Sequence, residues 1–493
     1  MRKYLQHLPR PCRAATARLL TAAAIALSGA ATAQTAADYS QGGCFVLNED
    51  WFTHANSTLN WLSDAGEWTY RAFQKANEGK ELGATACFAA YHEGRLYIVA
   101  KQEKDPGATI TGGRLTVCDA QTLECIAQLP VISETAEGGN NVDGRAFLGI
   151  DAEKAYVSTN NGIFIFDIRT QTFGEQIPGS SNPNSDSYGS LYRGQCGRMI
   201  LAGDTAYALH QSAGVLLIDT KSDRVARTIQ APTDGTVQRG FGSIVRSKDG
   251  ALWLSVAGDT EGTGSAAPYL IRLDPATGDT LRLNLPGDGI YPPSSSWYAW
   301  TADAFCASEQ ENALYWSGGN DSWFGGERIF KYDIDRNELR CLVNLEGTGW
   351  KLYGCSMGIH PQTDELYLSL YHDYNDPTYI VRRYNSEGRL LGEYSMMNYY
   401  WFPGMFLFPT AGDATGLTAA TRSEARLSWD GTALTAENAE GQTVRIYDTT
   451  GQLRHSFRCT EVRQRETFPA RNGLYIATLG EEPQGTSLKF IVP

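Results

Sequence analysis

Within residues 300–345 four short apolar runs follow one another, and none is long enough to make a helix. Residues 304–307, 313–316, 328–333 and 339–345 are rich in aromatic and branched side chains and bounded by Gly, Asp, Asn or Ser. Runs of that length and composition read as strands. A turn at 308–312, a loop at 318–327 and a turn at 334–337 join them into one antiparallel four-stranded sheet. The unit recurs at about 84–133, 144–182, 189–232, 240–287, 298–346 and 351–397, with the second run anchored by Tyr97, Tyr156, Tyr207, Trp253, Tyr315 and Tyr367. Third runs end on Asp119, Asp167, Asp219, Asp274, Asp333 and Asn385, where an Asx side chain bonds the backbone two residues on and starts a tight turn.

Each chain end supplies part of one more unit. Residues 44–49, 57–63 and 67–73 give second, third and fourth runs without a first, whereas 404–408 is a first run without successors. Pairing the two ends completes a seventh sheet and removes the open edges that an unclosed ring would carry. The recurrence predicts an all-β chain, a seven-bladed β-propeller over 44–409. Residues 410–425 are small and polar and read as a linker, and 426–493 hold about seven short alternating segments, a small C-terminal β-sandwich.

Residues 1–33 stand apart. Five basic residues precede an apolar stretch at 19–28, and Ala31-Thr32-Ala33 offers a small-residue cleavage pattern, so a signal peptide is expected. Without the leader's five basic residues, 37 Lys and Arg face 55 Asp and Glu, a net of −18. That sign excludes nucleic acid as the expected partner. Nine scattered cysteines remain, too few for a disulfide-built fold; only Cys118 and Cys125, placed symmetrically about a turn, suggest a bridge.

Loops between second and third runs, and segments leading into each first run, share one face of such a ring, and the surplus length sits there: 48–56, 102–113, 256–268, 318–327 and 370–378. Long loops on one side of a rigid scaffold are where binding concentrates. The aromatic residues placed on this face are Trp51, Trp297, Tyr298, Trp300, Trp323, Tyr371, Tyr400 and Trp401, with Phe52, Phe324, Trp350 and Tyr374 beside them. They suit a flat or amphipathic ligand, although propellers also use such rings to pack blades together. Polar residues reach the same strand ends: Lys101, Arg145, Arg193, His210, Gln211 and Arg239, together with Gln102, Asp143 and Gln195. His54, His210 and His372 come from three blades and are not expected to share a metal. Catalytic motifs are missing; Gly354-Cys355-Ser356-Met357-Gly358 matches a nucleophile elbow, but inside a strand without a following helix. The chain reads as a ligand binder without cofactor or metal. A glycan-acting enzyme using loop carboxylates, or a protein-interaction scaffold, stays open as an alternative.

The stretches starting at Cys44 (CFVLNEDWF), Lys101 (KQEKDPGA), Gly112 (GGRLTVCDA), Ser296 (SWYAWT) and Tyr400 (YWFP) resemble a Bacteroidota family of surface β-propellers, YncE-like in fold. That resemblance implies capture of a small molecule at the outer surface; relatives take up cobalamin and pass it to a TonB-dependent outer-membrane transporter. Those relatives are lipid-anchored, and no cysteine follows the expected cleavage point here. The segments from Val444 (VRIYDTTGQL), Asn472 (NGLYI) and Lys489 (KFIV) resemble the sorting domain of the type IX secretion system, which implies export through that machinery and attachment at the cell surface.

Overall fold

The structure is a computed structural model, and it describes residues 38–40, 42–133, 142–183, 194–230, 233–234, 237–238, 241–256, 269–285, 305–318, 325–409, 426–429, 431–437, 439, 442–460, 463–467, 472–479 and 486–492. The expected signal peptide at 1–33 and linker at 410–425 lie outside them.

The described residues of 42–409 form seven antiparallel sheets of at least four strands. Their first strands are Pro403–Leu407, Ala84–His92, Gly144–Gly149, Cys196–Ala202, Phe241–Arg246, Phe305–Ala307 and Lys351–Ile359. Each first strand contacts the first strand of the next sheet, and Lys351–Ile359 contacts Pro403–Leu407, so the series returns to its start. Apolar packing repeats the cycle, because every pair of neighbouring sheets has its own core cluster. Between the second and third sheets, for example, Tyr97 and Val117 pack on Phe147, Val157 and Phe166. The architecture is all-β and propeller-like.

The chain ends close one sheet together. Gly43–Asn48 pairs with Pro403–Leu407, Val46 opposite Phe406 and Leu47 opposite Met405, as the two half-units in the sequence require. The fourth run expected at 67–73 is shorter: Trp68–Thr69 is the only strand there, and Ala72–Ala76 turns into a helix. Arg71, at φ 56°, breaks the extended backbone, and Ala72-Phe73-Gln74-Lys75-Ala76 lacks the branched residues that would hold it extended.

The turn chemistry follows the sequence. Asp119 Oδ1 accepts from the amides of Gln121 and Thr122, Asp167 Oδ1 from Arg169 and Thr170, and Asp274 Oδ1 from Ala276. Asn385 Oδ1 accepts from Glu387 and Arg389 in the same way.

A feature without sequence signature runs round the ring. Among the described residues, six of the first strands carry a register shift near their beginning: at Ala86/Phe88, Gly144/Ala146, Cys196/Met199, Phe241/Ile244, Leu352/Met357, and opposite Leu47/Asn48 where Gly404 is the extra residue. A bulge leaves one residue unpaired and re-aims its side chain. Cys87, Arg145 and Gly404 occupy such positions.

Residues 426–492 contribute a three-stranded and a four-stranded sheet among the described residues, and Leu434, Ala436, Val444, Ile446, Ala477 and Phe490 from both share one core. No helix among the described residues is long and apolar enough to cross a membrane.

Candidate functional site

Second strands end, and first strands begin, at the same side of the ring. The polar half of the site lies where the first three sheets meet there. Arg145, at its bulge, is 1% exposed; its Nε donates to Gln195 Oε1 at 2.6 Å and its Nη1 to the Gly144 carbonyl at 2.8 Å. Asp143 is fully buried between two guanidiniums, with Oδ2 3.8 Å from Arg145 and Oδ1 3.9 Å from Arg114. Arg114 in turn donates to the Pro130 carbonyl at 2.9 Å and pairs with Glu103 at 2.7 Å. Gln195 and Gln211 are joined through the Gln211 amide and the Gln195 carbonyl at 2.8 Å.

Lys101, half-buried at the end of its strand, is pushed down to about 8 by burial and by the neighbouring Arg145 charge. Glu49 is 5% exposed, and burial pushes its carboxyl up to about 8, against the opposing pull of Lys101 and a hydrogen bond from Tyr353. A Cβ on Gly404 would stand 3.3 Å from Glu49 Oε1, so the glycine bulge makes room for the carboxyl. Asp50 is raised to about 7 by burial; Thr58 Oγ1 donates to its Oδ2 at 2.8 Å and the Trp401 amide to its Oδ1 at 3.2 Å. Three titratable groups at one mouth thus sit near neutrality, which is unusual away from functional sites. His210 is 3% exposed and lowered by burial; its Nδ1 accepts from the Ala213 amide at 3.2 Å, leaving Nε2–H for the Ser181 carbonyl at 3.3 Å.

The aromatic half adjoins it, over the first and seventh sheets. Trp51 packs edge-on against Trp401 at 4.2 Å between ring centres, with Tyr374 at 6.3 Å and His54 at 5.0 Å. Tyr374 stacks on Phe402 at 5.1 Å, Tyr399 tilts on Trp401 at 6.2 Å, and Tyr400 stacks on Tyr70 at 4.4 Å. Tyr371, Trp401 and Phe402 are buried beneath, while Tyr399 is 72% exposed, Phe52 44% and Tyr374 42%. Backbone strain gathers in the same two segments: Asp50, Thr53, Tyr399 and Phe402 all have φ between 51° and 76°. Left-handed backbone at non-glycine residues costs energy and clusters where function constrains a loop.

The sequence-predicted residues therefore separate. Trp51, Tyr371, Tyr400 and Trp401 join in the aromatic cluster. Lys101 and Arg145 join the buried polar network, and Gln211 touches it through Gln195. His210 is committed to the backbone. Arg193, Arg239, Trp297, Tyr298, Trp300 and Trp323 lie outside the described residues. The sequence does not single out Glu49, Arg114 and Tyr353 as site residues, because their placement depends on strands far away in the chain, whereas Tyr399 belongs to the aromatic segment 398–402 that the sequence places on this face. Ser356 is buried inside Lys351–Ile359 and no helix follows it. Cys118 and Cys125 are direct cross-strand partners with free thiols.

Residues 42–409 match the model of a family described as a domain of unknown function, DUF5074. The chain belongs to the DUF5074 family. No curated protein matches it. Among solved structures, the DUF5074 chain is similar to PorZ of Porphyromonas gingivalis, a surface component of the type IX secretion system, at 12% identity and a TM-score of 0.44, covering 88% of this chain and 62% of that one. It is also similar to the extracellular domain of the hybrid two-component system BT4673 of B. thetaiotaomicron, at 14% identity and 0.44, covering 92% and 57%. A chain of the mitotic checkpoint complex matches at 12% and 0.43, covering 71% and 83%. The DUF5074 chain thus spans less than two thirds of the first two.

Proposed function

We propose that the seven sheets are the blades of a closed seven-bladed β-propeller, and that it captures a small molecule on the face carrying Trp51, Tyr374 and Tyr399. The observation that carries this reading is the exposed aromatic cluster sharing one face with the buried Lys101–Asp143–Arg145 network. Aromatic rings offer a bed for a flat, amphipathic molecule at low entropic cost, and the strained segments at 50–53 and 399–402 hold that bed in place. The site binds without turnover and needs no cofactor or metal of its own.

A corrinoid such as cobalamin is the ligand we propose, supported by the family resemblance of the loop motifs. On the same ground the partner is a TonB-dependent outer-membrane transporter. The leader and the C-terminal motifs support export, passage through the type IX machinery and attachment at the cell surface by a sandwich of 426–493. Calorimetric titration with cyanocobalamin tests the ligand: a micromolar or tighter complex is expected. Tyr374→Ala, which removes one exposed ring, should weaken it by about 5- to 20-fold, or about 1–2 kcal/mol. Absence of heat with the wild type at tens of micromolar rejects the corrinoid.

A further inference from the structure

Cys118 and Cys125 flank the turn between the third and fourth strands of the second sheet, Leu115–Asp119 and Cys125–Leu129, and stand directly opposite each other. The Asp119 amide donates to the Glu124 carbonyl at 2.9 Å, whereas the Cys125 amide turns out of the ladder and donates to Asn77 Oδ1 at 2.8 Å. The two cysteines are therefore a non-hydrogen-bonded pair, the antiparallel position at which facing side chains come closest and approach the Cβ separation of a disulfide. Just beyond them the ladder steps past Ile126, and such a bulge gives the backbone slack to close a bond. Both side chains enter the same apolar cluster, Cys118 fully buried and Cys125 half-buried.

The two thiols are not equivalent. Burial pushes both up, but Lys80 Nζ donates to Cys125 Sγ at 3.5 Å and draws it back towards the thiolate. Cys125 is also the thiol that an incoming molecule can reach, whereas Cys118 needs access only to its neighbour. The signal peptide expected at 1–33 points to an oxidising compartment, where such pairs close. We propose that Cys125, Cys118 and Lys80 form a thiol–disulfide exchange site, with Cys125 the entry thiol and Cys118 the resolving one. The Cys125 thiolate attacks one sulfur of an incoming low-molecular-weight disulfide; the other half leaves as a thiolate and takes up the proton that Cys125 gave. Cys118 then attacks Cys125 Sγ, and the second half leaves with the Cys118 proton. The pair gives up two electrons, and the incoming disulfide accepts them. The new bond ties down the turn whose Leu123 carbonyl and Cys125 amide hold Asn77 at the end of the helix Ala72–Ala76, and so stiffens the joint between the first two sheets.

Reduced full-length protein incubated with oxidised glutathione, quenched in acid over time, alkylated and peptide-mapped by mass spectrometry tests this. The wild type should join 118 to 125 with loss of two hydrogens, after a transient glutathione adduct on Cys125. Cys118→Ser should stop at that adduct, and Cys125→Ser should leave Cys118 unmodified in the native protein. Lys80→Met should slow the first step by about 3- to 10-fold and displace its pH profile upward; a merely structural lysine would leave the profile in place. If Cys118→Ser does not give a native circular dichroism spectrum, the wild-type time course decides alone. Absence of the bridge in the native wild type overturns the proposal. So does a first adduct on Cys118, or a Lys80→Met protein with the wild-type rate and pH profile.

Discussion

Replacing Glu49 by Gln removes one titratable proton from the mouth of the ring while keeping the shape of the side chain and a partner for Tyr353. Burial raises the folded-state carboxyl from an ordinary 4.5 to about 8. The folded protein therefore holds this proton more tightly than the unfolded one, so the group favours folding most at low pH. Its contribution falls as pH rises from about 4.5 to about 8 and is fully lost above that. Integrated between pH 6 and pH 9, the wild type loses about 2.6 kcal/mol through this carboxyl alone. Lys101 moves the other way, since its lowered value favours the folded state more as pH rises; it is present in both proteins and cancels to first order. Urea unfolding followed by tryptophan fluorescence should show Glu49→Gln with the flatter profile, the two proteins diverging by about 2–3 kcal/mol between pH 6 and pH 9. Parallel profiles would mean that the carboxyl is hydrated and ionised, and that Glu49 is not buried at the mouth.

Two further outcomes are expected. Trp316 is fully buried between Phe305 and Phe330, at 6.2 and 6.1 Å, so Trp316→Ala should cost about 3–5 kcal/mol in urea unfolding; a loss under about 1 kcal/mol contradicts the packing of the fifth and sixth sheets. Native thiol labelling at pH 8, read by mass spectrometry, should modify exposed Cys341 well before Cys87 and Cys196, which are buried and pushed up to about 12; prompt labelling of Cys87 contradicts its place at the bulge.

Much of the sheet pattern is legible because its causes are local. Alternation and turn residues mark the strands, and an Asx at 119, 167, 274 or 385 captures the very amides its position predicts. The pairing of Met405 with Leu47 also follows, because each end of the chain lacks what the other supplies. The bulges are invisible, since one extra residue in a strand changes neither composition nor period; Arg145 and Gly404 look like ordinary strand residues. Nor does sequence reveal which charges are buried. Arg114 directly precedes the strand Leu115–Asp119, and the carbonyls of Pro130 and Lys101, with Glu103 and Asp143, make its burial tolerable. Aromatic clustering was legible as to face, but exposure was not: Trp401 is covered and Tyr399 is open.

Because the innermost strand of the first sheet is Pro403–Leu407, residues some 360 positions apart must meet before that sheet is whole. Joining such distant segments is entropically slow, so a chain emerging from the ribosome cannot complete its circle until nearly all of the propeller-like part has been made. Until then Gly43–Asn48 offers a bare edge. The last stitch of the first sheet therefore waits for the far end of the propeller-like part, and that sheet locks only when Pro403–Leu407 arrives.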